Sequence, residues 1–388
     1  MGIESSKNSN TTPTNTDLTL SSDLFAVDVE RNEPNAEEIT LVSLDDEEFY
    51  YGLSRDNLIH RKQSLRQVND YCKFYHEENS CMEYIRSIEH NKIFLVIWGS
   101  CGNNVLAQIH HLKQVDSIFI FCIDRDKCLS LMTTYSKIVG IYTERQDLME
   151  NIQKTIKLAE KQLITLNLCD QRQKATRDLT TESGSFLIFQ LFKSVLLKLP
   201  KTPESKQEMI KKCRQYYRGN EKQLEKIKEF DSTYKSNEAI KCYTKYEFIY
   251  RLVNKALRTE DINELLIFRF FIIDLCLNLA KKHNELKKIE KQPIIDLYRG
   301  VCLSSDELDR LKNNVGNLIS TNGFLSTSRS RKVACIFGTN VLFEIKTDIR
   351  LKSIICADIA LVSAFPDEQE VLFDLGKSFS FFSDSFKT

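Results

Sequence analysis

Short apolar runs alternate with amphipathic stretches in the first half of the chain. The apolar runs lie at 39–44, 93–98, 118–123 and 137–142, and helix-like stretches lie at 58–76, 103–113 and 145–165. Alternating strands and helices at this spacing are typical of a parallel sheet covered by helices. We therefore predict a Rossmann-like α/β domain over residues 39–170, with helices on both faces of its sheet.

The pattern changes in the second half of the chain. Residues 171–204 resemble a linker, a helix-rich region runs over 205–290, and short β segments with polar turns follow from Ile294. Asp261 is a predicted helix N-cap with Glu264 as its reciprocal partner, and the apolar run after it predicts one buried helix. Helices followed by strands predict an α+β domain over 205–388.

Residues 1–38 are polar and poor in aromatic side chains, which predicts a disordered N-terminal arm. The first seven residues fit the N-myristoylation pattern, with Gly2 exposed after removal of Met1 and Ser6 in place. An ordinary flexible tail is the alternative. One acyl chain would give reversible membrane contact. No apolar run approaches the roughly 18 residues of a transmembrane helix, so we expect none.

The charge balance narrows the classes of partner. Lys and Arg together number 54 and Asp and Glu together also number 54, so the formal net charge is zero. Proteins that coat nucleic acid or anionic lipid carry a basic excess, so the balance argues against both of these roles. The 12 glycines and 6 prolines are too few for a low-complexity or collagen-like chain. The 12 cysteines form no C-x-x-C pair and lie near no histidine at metal spacing. Without a secretory signal, these features predict reduced thiols, no metal and a cytoplasmic protein.

Two turns of the α/β region follow predicted strands. The segment 99–102, Gly-Ser-Cys-Gly, could cradle a phosphate or form a tight strand-to-helix turn, and it lacks the G-x-G-x-x-G spacing. Asp124 and Asp126 stand where α/β proteins often bind ligands. They could equally be a helix N-cap and a solvated charge of the first turn, which is the interpretation that we favour.

Two glutamates stand two residues apart close to the C-terminus. Glu368 and Glu370 precede the apolar residues 371–373, and side chains at i and i+2 of a strand share one face. The pair would then present two carboxylates side by side, which is costly for like charges. The alternative is a solvated acidic loop, since Asp367 extends the run of acids.

An arginine and two serines lie on other predicted strands of this region. Burial of Arg299 is costly unless it is paired, and its planar fork suits either a phosphate or a structural carboxylate. Gly300 would let a ligand approach the backbone closely. Ser326 and Ser328 would share a strand face, where a hydroxyl could orient a carboxylate.

Together these elements resemble the arginine-specific mono-ADP-ribosyltransferases. The signature of that branch is an Arg, a Ser-Thr-Ser strand and a Glu-x-Glu, which stand here in order as Arg299, 326–328 and 368–370. The segments 254–259, 322–324, 357–359 and 363–366 also look similar to the family. The resemblance covers about 210–380 and implies a helical N-lobe with a β-sandwich-like NAD-binding core. The region 39–170 is similar to an α/β domain found ahead of such catalytic domains, with no activity to carry over.

The resemblance also implies roles for single residues. NAD+ would be the co-substrate, bound between the helical part and the β core by Arg299, Gly300, Ser326, Thr327, Ser328 and Phe337. Ser326 would orient Glu370, which would stabilise the positive charge on the ribose as nicotinamide leaves. Glu368 would engage the acceptor guanidinium and accept its proton. Phe365 would contact the acceptor protein.

The implied activity is transfer of ADP-ribose from NAD+ to arginine side chains of an acceptor protein, a glycosyltransferase reaction. Extracellular members of this branch carry disulfides and secretion signals, so we expect this chain inside the cell, with no nucleic-acid partner. One alternative is an NAD+ glycohydrolase, for which Glu370 alone suffices. Another is a catalytically silent signalling adaptor, against which the intact Arg299, Ser326, Glu368 and Glu370 argue.

Overall fold

A computed structural model provides the structure of the chain. It describes residues 34–45, 54–89, 91–99, 103–162, 166–169, 191–303, 305–313, 315–316, 318–321, 323–338 and 340–380. Gly2, Ser6 and most of the predicted arm lie outside the described residues. So do residues 100–102 of the predicted phosphate cradle, and its two alternatives stay open.

The first domain alternates strands and helices, as the apolar pattern predicts. Its elements are β1 (Ile39–Asp45), α1 (Arg55–Val68), β2 (Cys72–Tyr75), α2 (Glu78–Ser87), β3 (Lys92–Trp98), α3 (Asn103–Ile109), β4 (Val115–Phe121), α4 (Arg125–Thr134), β5 (Ile138–Tyr142) and α5 (Arg145–Gln162). The five strands pair in the order β2-β1-β3-β4-β5, and every pairing is parallel. The predicted parallel sheet is thus confirmed.

Alternate side chains of the central strands enter two separate hydrophobic clusters. Leu95 and Ile97 of β3 pack into one cluster, which includes buried residues of α2 and α3. Phe94 and Val96 pack into another, which includes buried residues of α1 and α5. Because neighbouring residues of a strand point to opposite faces, both faces are buried and the strands read as continuous apolar runs.

The helix predicted over 58–76 is wrong at its C-terminal end. Helix α1 ends at Val68, and the Asn69 side chain donates to the carbonyls of Ile39 (3.0 Å) and Tyr71 (3.0 Å). This side chain binds the backbone where the chain leaves the helix, so that β2 can pair with β1 as the edge strand. Asp124 is the N-cap of α4 and accepts from the Asp126 amide, in line with the interpretation that we favoured.

The second half of the chain runs from helices to strands. A helical stretch covers 191–196. The further elements are β6 (Leu166–Cys169), α6 (Pro203–Tyr216), α7 (Glu221–Thr233), α8 (Ala239–Thr244), α9 (Phe248–Arg258), α10 (Ile262–Ile267), α11 (Arg269–Ile289), β7 (Ile294–Val301), α12 (Ser305–Asn313), β8 (Leu318–Thr321), β9 (Leu325–Ser328), α13 (Arg331–Phe337), β10 (Val341–Asp348), β11 (Cys356–Asp358), β12 (Glu370–Phe373) and β13 (Ser378–Ser380).

Two antiparallel sheets form the β part. Five strands pair in the order β10-β7-β9-β12-β11, and three pair as β13-β8-β6. On one face of the larger sheet, Leu372 joins the cluster that contains Phe271 and Leu275 of α11. On the other face, Val371 and Phe373 join a different cluster. The predicted order of helices followed by strands is confirmed.

The helix predicted after Asp261 is divided in two. Asp261 is the N-cap of α10 and accepts from the Glu264 amide at 3.1 Å, as predicted. The Glu264 carboxylate pairs with Lys212 at 2.6 Å and not with the N-cap backbone. The helix is interrupted at Phe268, where α10 ends and α11 begins. Most of the buried residues of this stretch lie on α11.

The two domains are joined by buried polar contacts at the end of the predicted arm. Glu37, which is 1% exposed, accepts from the amides of Asp70 and Tyr71 in the α/β domain. It also accepts from the Tyr217 hydroxyl (3.0 Å) and pairs with Arg251 (3.2 Å) in the helical region. Within the described part of the chain, no helix is both long and apolar enough to span a bilayer.

Candidate active site

Adjacent strands bring the predicted site residues together. Strand β9 pairs with β12 so that Leu372 lies opposite Ser326 and Glu370 lies opposite Ser328. Residues opposite each other in an antiparallel pair share a face, and here this face points towards the helices. Arg299, Ser326 and Glu370 consequently line one cavity, which has a volume of about 40 Å³.

Arg299 is buried on β7, with a side chain that is 9% exposed. Its Nη1 donates to the carbonyl of Ser326 at 3.0 Å, and its Nη2 donates to the carbonyl of Lys161. Among the described residues its Nε has no hydrogen-bond partner. Burial lowers the pKa of this guanidinium, and the nearby Tyr250, Tyr246 and Glu370 oppose the change.

Glu370 is buried at the start of β12, with a side chain that is 3% exposed. Burial raises the pKa of its carboxyl, and a hydrogen bond from the Ser326 side chain opposes the rise. The charge of Glu368 raises that pKa further, whereas Lys161 and Arg299 lower it. Oε2 has no hydrogen-bond partner within the described parts of the chain. Arg299 and Glu370 therefore both present an unpaired polar atom next to the cavity.

Glu368 does not lie on the strand that the i, i+2 argument assumed. It ends a single 3-10 turn over Pro366–Glu368, and Gln369 has left-handed backbone angles, with φ 47°. Two-residue alternation holds only in extended chain, so the prediction that the two carboxylates share a strand face is wrong. The two carboxylates still interact electrostatically, and Glu368 forms an ion pair with Lys161. The solvated-loop alternative does not describe this partly buried pair.

The three residues of the Ser-Thr-Ser strand have different surroundings. Ser326 lines the cavity. The Ser328 hydroxyl donates to the carbonyl of Glu368 (2.8 Å) and accepts from the Ser330 amide (3.0 Å), so it holds the turn before Glu370. Thr327 is on the opposite face of the sheet and donates to the carbonyl of Val371. The structure does not bring Thr327 to the cavity.

Gly300 is needed for a reason other than the one that the sequence suggested. A Cβ at this position would overlap the carbonyl oxygen of Ala334 and lie 2.7 Å from the amide nitrogen of Gly338. A Cβ at Gly338 would in turn overlap the carbonyl carbon of Gly300. The backbone that approaches Gly300 is therefore that of α13, which packs directly on β7.

Phe337 and Phe365 lie beside Lys161. The Lys161 ammonium is 4.5 Å from the ring centroid of Phe337, 5.2 Å from that of Phe365 and 4.6 Å from that of Tyr246. Phe337 ends α13, and Phe365 immediately precedes the turn that carries Glu368. Neither aromatic residue lines the cavity itself; both lie around the Lys161 ammonium that pairs with Glu368.

Half of the chain matches the model of a known family. The model of the NAD:arginine ADP-ribosyltransferase family, abbreviated ART, matches residues 191–385 of the 388. The chain belongs to the NAD:arginine ADP-ribosyltransferase family. The Arg, Ser-Thr-Ser and Glu-x-Glu elements all lie inside the matched segment, and the α/β domain lies outside it.

Individual relatives of the ART family are distant. Mav of Mycobacterium avium (strain 104), named as an NAD(+)–arginine ADP-ribosyltransferase, is 34% identical over 95 residues, which are 24% of this chain and 11% of that protein. The chain thus spans about a tenth of the length of this relative.

Solved ART structures are similar at low TM-scores. Exoenzyme S of Pseudomonas aeruginosa, bound to human 14-3-3 protein beta and carba-NAD, is 17% identical over 45% of this chain and 78% of that one, at a TM-score of 0.28. HopU1 of Pseudomonas syringae pv. Tomato DC3000 is 20% identical over 46% and 89%, at a TM-score of 0.30. The eukaryotic ART2.2 is 16% identical over 57% and 86%, at a TM-score of 0.25.

Several residues of the ART cavity were not singled out from the sequence. Tyr243, Tyr246 and Tyr250 line it from α8, α9 and the turn between them, and Lys161 enters from α5. Burial raises the pKa of all three phenols well above its usual value. Their i, i+3, i+7 spacing was the available signal, but the same spacing is typical of a buried helix face.

Other described residues of the ART cavity carry amide and guanidinium groups. Asn254 accepts from the Tyr243 hydroxyl at 2.9 Å, and Arg258 pairs at 2.5 Å with Glu38, the residue directly before β1. The segment 254–259 contributed to the family resemblance, but its residues were not assigned to the site. No group of three or more His, Cys, Asp or Glu residues that could bind a metal occurs in the described regions.

Proposed function

We propose that this chain transfers ADP-ribose from NAD+ to arginine side chains of acceptor proteins and releases nicotinamide. Membership of the ART family supports the reaction class, and the family's name supports arginine as the acceptor. The catalytic domain of this proposal spans 205–388, with the NAD+ site between its helices and the larger antiparallel sheet.

One observation carries the proposal. Arg299 and Glu370 are both buried and border the same cavity, and each has an unpaired polar atom there. Buried polar groups are normally hydrogen-bonded, and unpaired ones call for an explanation. A substrate with anionic phosphates and a ribose hydroxyl would satisfy both atoms, as NAD+ would.

The chemistry follows from the placement of the two glutamates. The bond between the ribose carbon and the nicotinamide nitrogen breaks, nicotinamide leaves with the electron pair, and positive charge develops on the ribose. Glu370, oriented by Ser326, would stabilise that charge, while Arg299 would hold the phosphates. A low-dielectric surrounding strengthens these interactions, and both side chains are buried.

Glu368 would set the acceptor. It lies next to Glu370 in the chain, in a turn held by Ser328, and it already forms an ion pair with a cation in this structure. A carboxylate there would orient an arginine and take the proton released when its nitrogen attacks the ribose carbon. Phe365 and Phe337 would flank the guanidinium, because rings at this distance attract cations. For Phe337 this proposal differs from the contact with NAD+ that the family resemblance implies.

The remaining sequence-based expectations stay predictions. They are the placement of the chain inside the cell, reversible membrane contact through a myristoylated Gly2, and an exposed arginine on an acceptor protein as partner. The functional boundary between an α/β domain at 39–170 and a linker at 171–204 also stays a prediction.

Two glutamate variants test the function. We expect Glu370→Gln to lower NAD+ cleavage by at least about 100-fold, because it removes the charge that stabilises the transition state. Glu368→Gln should retain nicotinamide release and lose labelling of poly-arginine. Glu229, an exposed residue of α7, provides the matched control, and Glu229→Gln should behave as the wild type. Labelled NAD+ with separate assays for nicotinamide and for labelled acceptor measures both steps.

The outcomes separate the alternatives. Nicotinamide release without arginine labelling by the wild type would indicate an NAD+ glycohydrolase. Absence of NAD+ cleavage by the wild type and by every variant would favour the catalytically silent adaptor. Persistent arginine labelling by Glu368→Gln would contradict the role given to Glu368.

A further inference from the structure

The last turn of α5 extends from the α/β domain to the active-site cavity of the transferase domain. Leu148, Ile152 and Ile156 of this helix are fully buried in a cluster with the strands of the α/β sheet. The helix continues to Gln162, and Lys161 lines the active-site cavity. Helix α5 therefore packs on the sheet of the first domain, while its last turn lines the cavity of the second.

Lys161 binds two of the three charged groups that the proposed reaction needs, Arg299 and Glu368. Its backbone carbonyl accepts from Arg299 Nη2, and its ammonium forms an ion pair with Glu368. The side chain of Lys161 is only 10% exposed. In this conformation Lys161 of the α/β domain therefore binds both Arg299, the proposed phosphate-binding residue, and Glu368, the proposed acceptor-binding residue.

Three aromatic rings surround the Lys161 ammonium. Tyr246, Phe337 and Phe365 lie with their centroids between 4.5 and 5.2 Å from it. Rings at this distance, combined with a carboxylate, form a cation-binding cage. The cage is the place that the proposed function assigns to the acceptor arginine, so Lys161 lies where a substrate cation would lie.

The cavity that remains is too small for a dinucleotide. Its volume is about 40 Å³, whereas sites for small molecules usually have about 300 Å³ or more. Lys161 and the phenols of Tyr243, Tyr246 and Tyr250 are among the side chains that line the cavity. Binding of NAD+ therefore requires the end of α5 to move away from Arg299.

Neighbouring contacts hold the end of α5 in place. Glu160, the residue before Lys161, pairs with Arg251 of α9 at 2.8 Å, and both side chains are at most 8% exposed. Arg251 also pairs with Glu37, which accepts from the amides of Asp70 and Tyr71 in the α/β domain. These buried pairs connect the position of Lys161 to the docking of the whole α/β domain.

We propose that the α/β domain represses the transferase in cis, with Lys161 as an intramolecular pseudosubstrate. The inference rests on the proposed function, because it assigns to the α/β domain the regulation of that same site. In the closed state Lys161 excludes NAD+ from Arg299 and the acceptor from Glu368. A partner that binds the α/β domain and draws α5 outwards opens both subsites together.

The size of the effect can be bounded. Three ring contacts, each at the low end of the usual strength, favour the closed state by about tenfold before the ion pair is added. A ligand whose binding-competent state is only fractionally populated binds more weakly by that fraction. Removal of the Lys161 side chain should therefore raise kcat/KM for NAD+ cleavage by about tenfold or more.

A graded series of substitutions in the full-length chain tests the proposal. Lys161→Ala removes the cation, Lys161→Glu adds repulsion from Glu368, and Lys161→Arg keeps the charge. We expect NAD+ cleavage to be fastest in Lys161→Glu, slower in Lys161→Ala, and slowest in Lys161→Arg and the wild type, which should have equal rates. Lys154 lies on an exposed face of the same helix, and Lys154→Ala is the matched control with wild-type rates.

A second measurement reports on the cleft without turnover. Hydrogen–deuterium exchange of the last turn of α5 should be slow in the wild type and faster in Lys161→Glu, with the first turns of α5 unchanged. Saturating NAD+ should speed the exchange of the same turn in the wild type. Unchanged exchange in Lys161→Glu would show that Lys161 does not hold the cleft closed, and would overturn the proposal.

The outcomes distinguish this inference from the proposed function. Equal NAD+ cleavage by the wild type and Lys161→Ala overturns the inference and leaves the function standing. Slower cleavage by Lys161→Ala than by the wild type, at unchanged thermal stability, overturns it in favour of a positioning role for Lys161. Absence of cleavage in every variant overturns the proposed function, and the repression with it.

Discussion

Glu368 and Glu370 are two residues apart but belong to different kinds of local structure. Glu370 is on strand β12, whereas Glu368 is in a turn that Gln369 closes with left-handed backbone angles. Such angles cost a non-glycine residue about 1–2 kcal/mol and persist where the surroundings hold them. The Gln369 carbonyl accepts from Arg329, and the Glu368 carbonyl accepts from Ser328. At the residue scale, one turn therefore gives two glutamates separate surroundings.

Gly300 allows a direct test of packing beside the site. We expect Gly300→Ala to lower the free energy of unfolding by about 1–3 kcal/mol, because the new methyl group overlaps the Ala334 carbonyl and forces α13 away from β7. Urea denaturation followed by circular dichroism measures the change. NAD+ cleavage should fall as well, since Phe337 ends the displaced helix.

Gly323 is the matched control for this substitution. It borders the same cavity, but a Cβ there meets nothing closer than the Asn254 side chain at 4.0 Å. Gly323→Ala should therefore change the free energy of unfolding by no more than about 0.5 kcal/mol. An equal loss in both variants would show that the close approach of α13 is not what requires glycine at position 300.

Helix α5 is the element that couples the two domains, and Glu160 makes that coupling sensitive to pH. Burial raises the pKa of the Glu160 carboxyl to about 7, although Arg251 opposes the rise. The folded state therefore binds this proton more tightly than the unfolded state, whose carboxyl has its usual pKa of 4.5. The stability that this group contributes is fully present below pH 4.5 and is lost as pH rises towards about 7.

Glu160→Gln tests that prediction. The variant cannot titrate, so the difference in free energy of unfolding, wild type minus variant, should decrease as pH rises from 4.5 to about 7. Urea denaturation at a series of pH values measures it, and Glu229→Gln corrects for the rest of the surface. A difference that is flat or increases with pH would contradict the prediction.

Some elements were not predictable because their partners are distant in sequence. The four residues of β2 are all half-buried, so their burial does not alternate, and the strand begins only a few residues after α1 ends. Strand β6 pairs with β8, more than 140 residues further along the chain. A local pattern predicts what a segment can form, but a distant partner decides whether a short segment becomes a strand.

At the scale of the whole molecule, Glu37 joins the two domains from one buried position. Its carboxylate accepts from two amides of the α/β domain and from Tyr217 of the helical region, and it pairs with Arg251. Removal of one partner from a buried ion pair leaves the other charge uncompensated, which costs about 3–5 kcal/mol. The stability of each domain is therefore linked to the other.

Glu37→Ala should uncouple the unfolding of the two domains. Trp98 is the only tryptophan of the chain and is buried in the α/β domain, so its fluorescence follows that domain alone. In the wild type, we expect fluorescence and far-ultraviolet circular dichroism to give one common urea transition. In Glu37→Ala both transitions should shift to lower urea and no longer coincide, whereas Glu229→Ala should leave them coincident. Coincident, unshifted transitions in Glu37→Ala would contradict the linkage.

The sequence by itself determined the chemical inventory and the order of the elements. Arg299, Ser326 and Glu370 could be singled out as candidates because their residue types and order are specific. Alternating apolar runs predicted the parallel sheet since hydrophobic periodicity is a local property. Tertiary structure alone decided the turn at Gln369, the approach of α13 to Gly300 and the entry of Lys161 into the cavity. These features depend on backbone angles and on contacts between residues that are far apart in the chain, and Lys161 and Glu368 are separated by 207 positions.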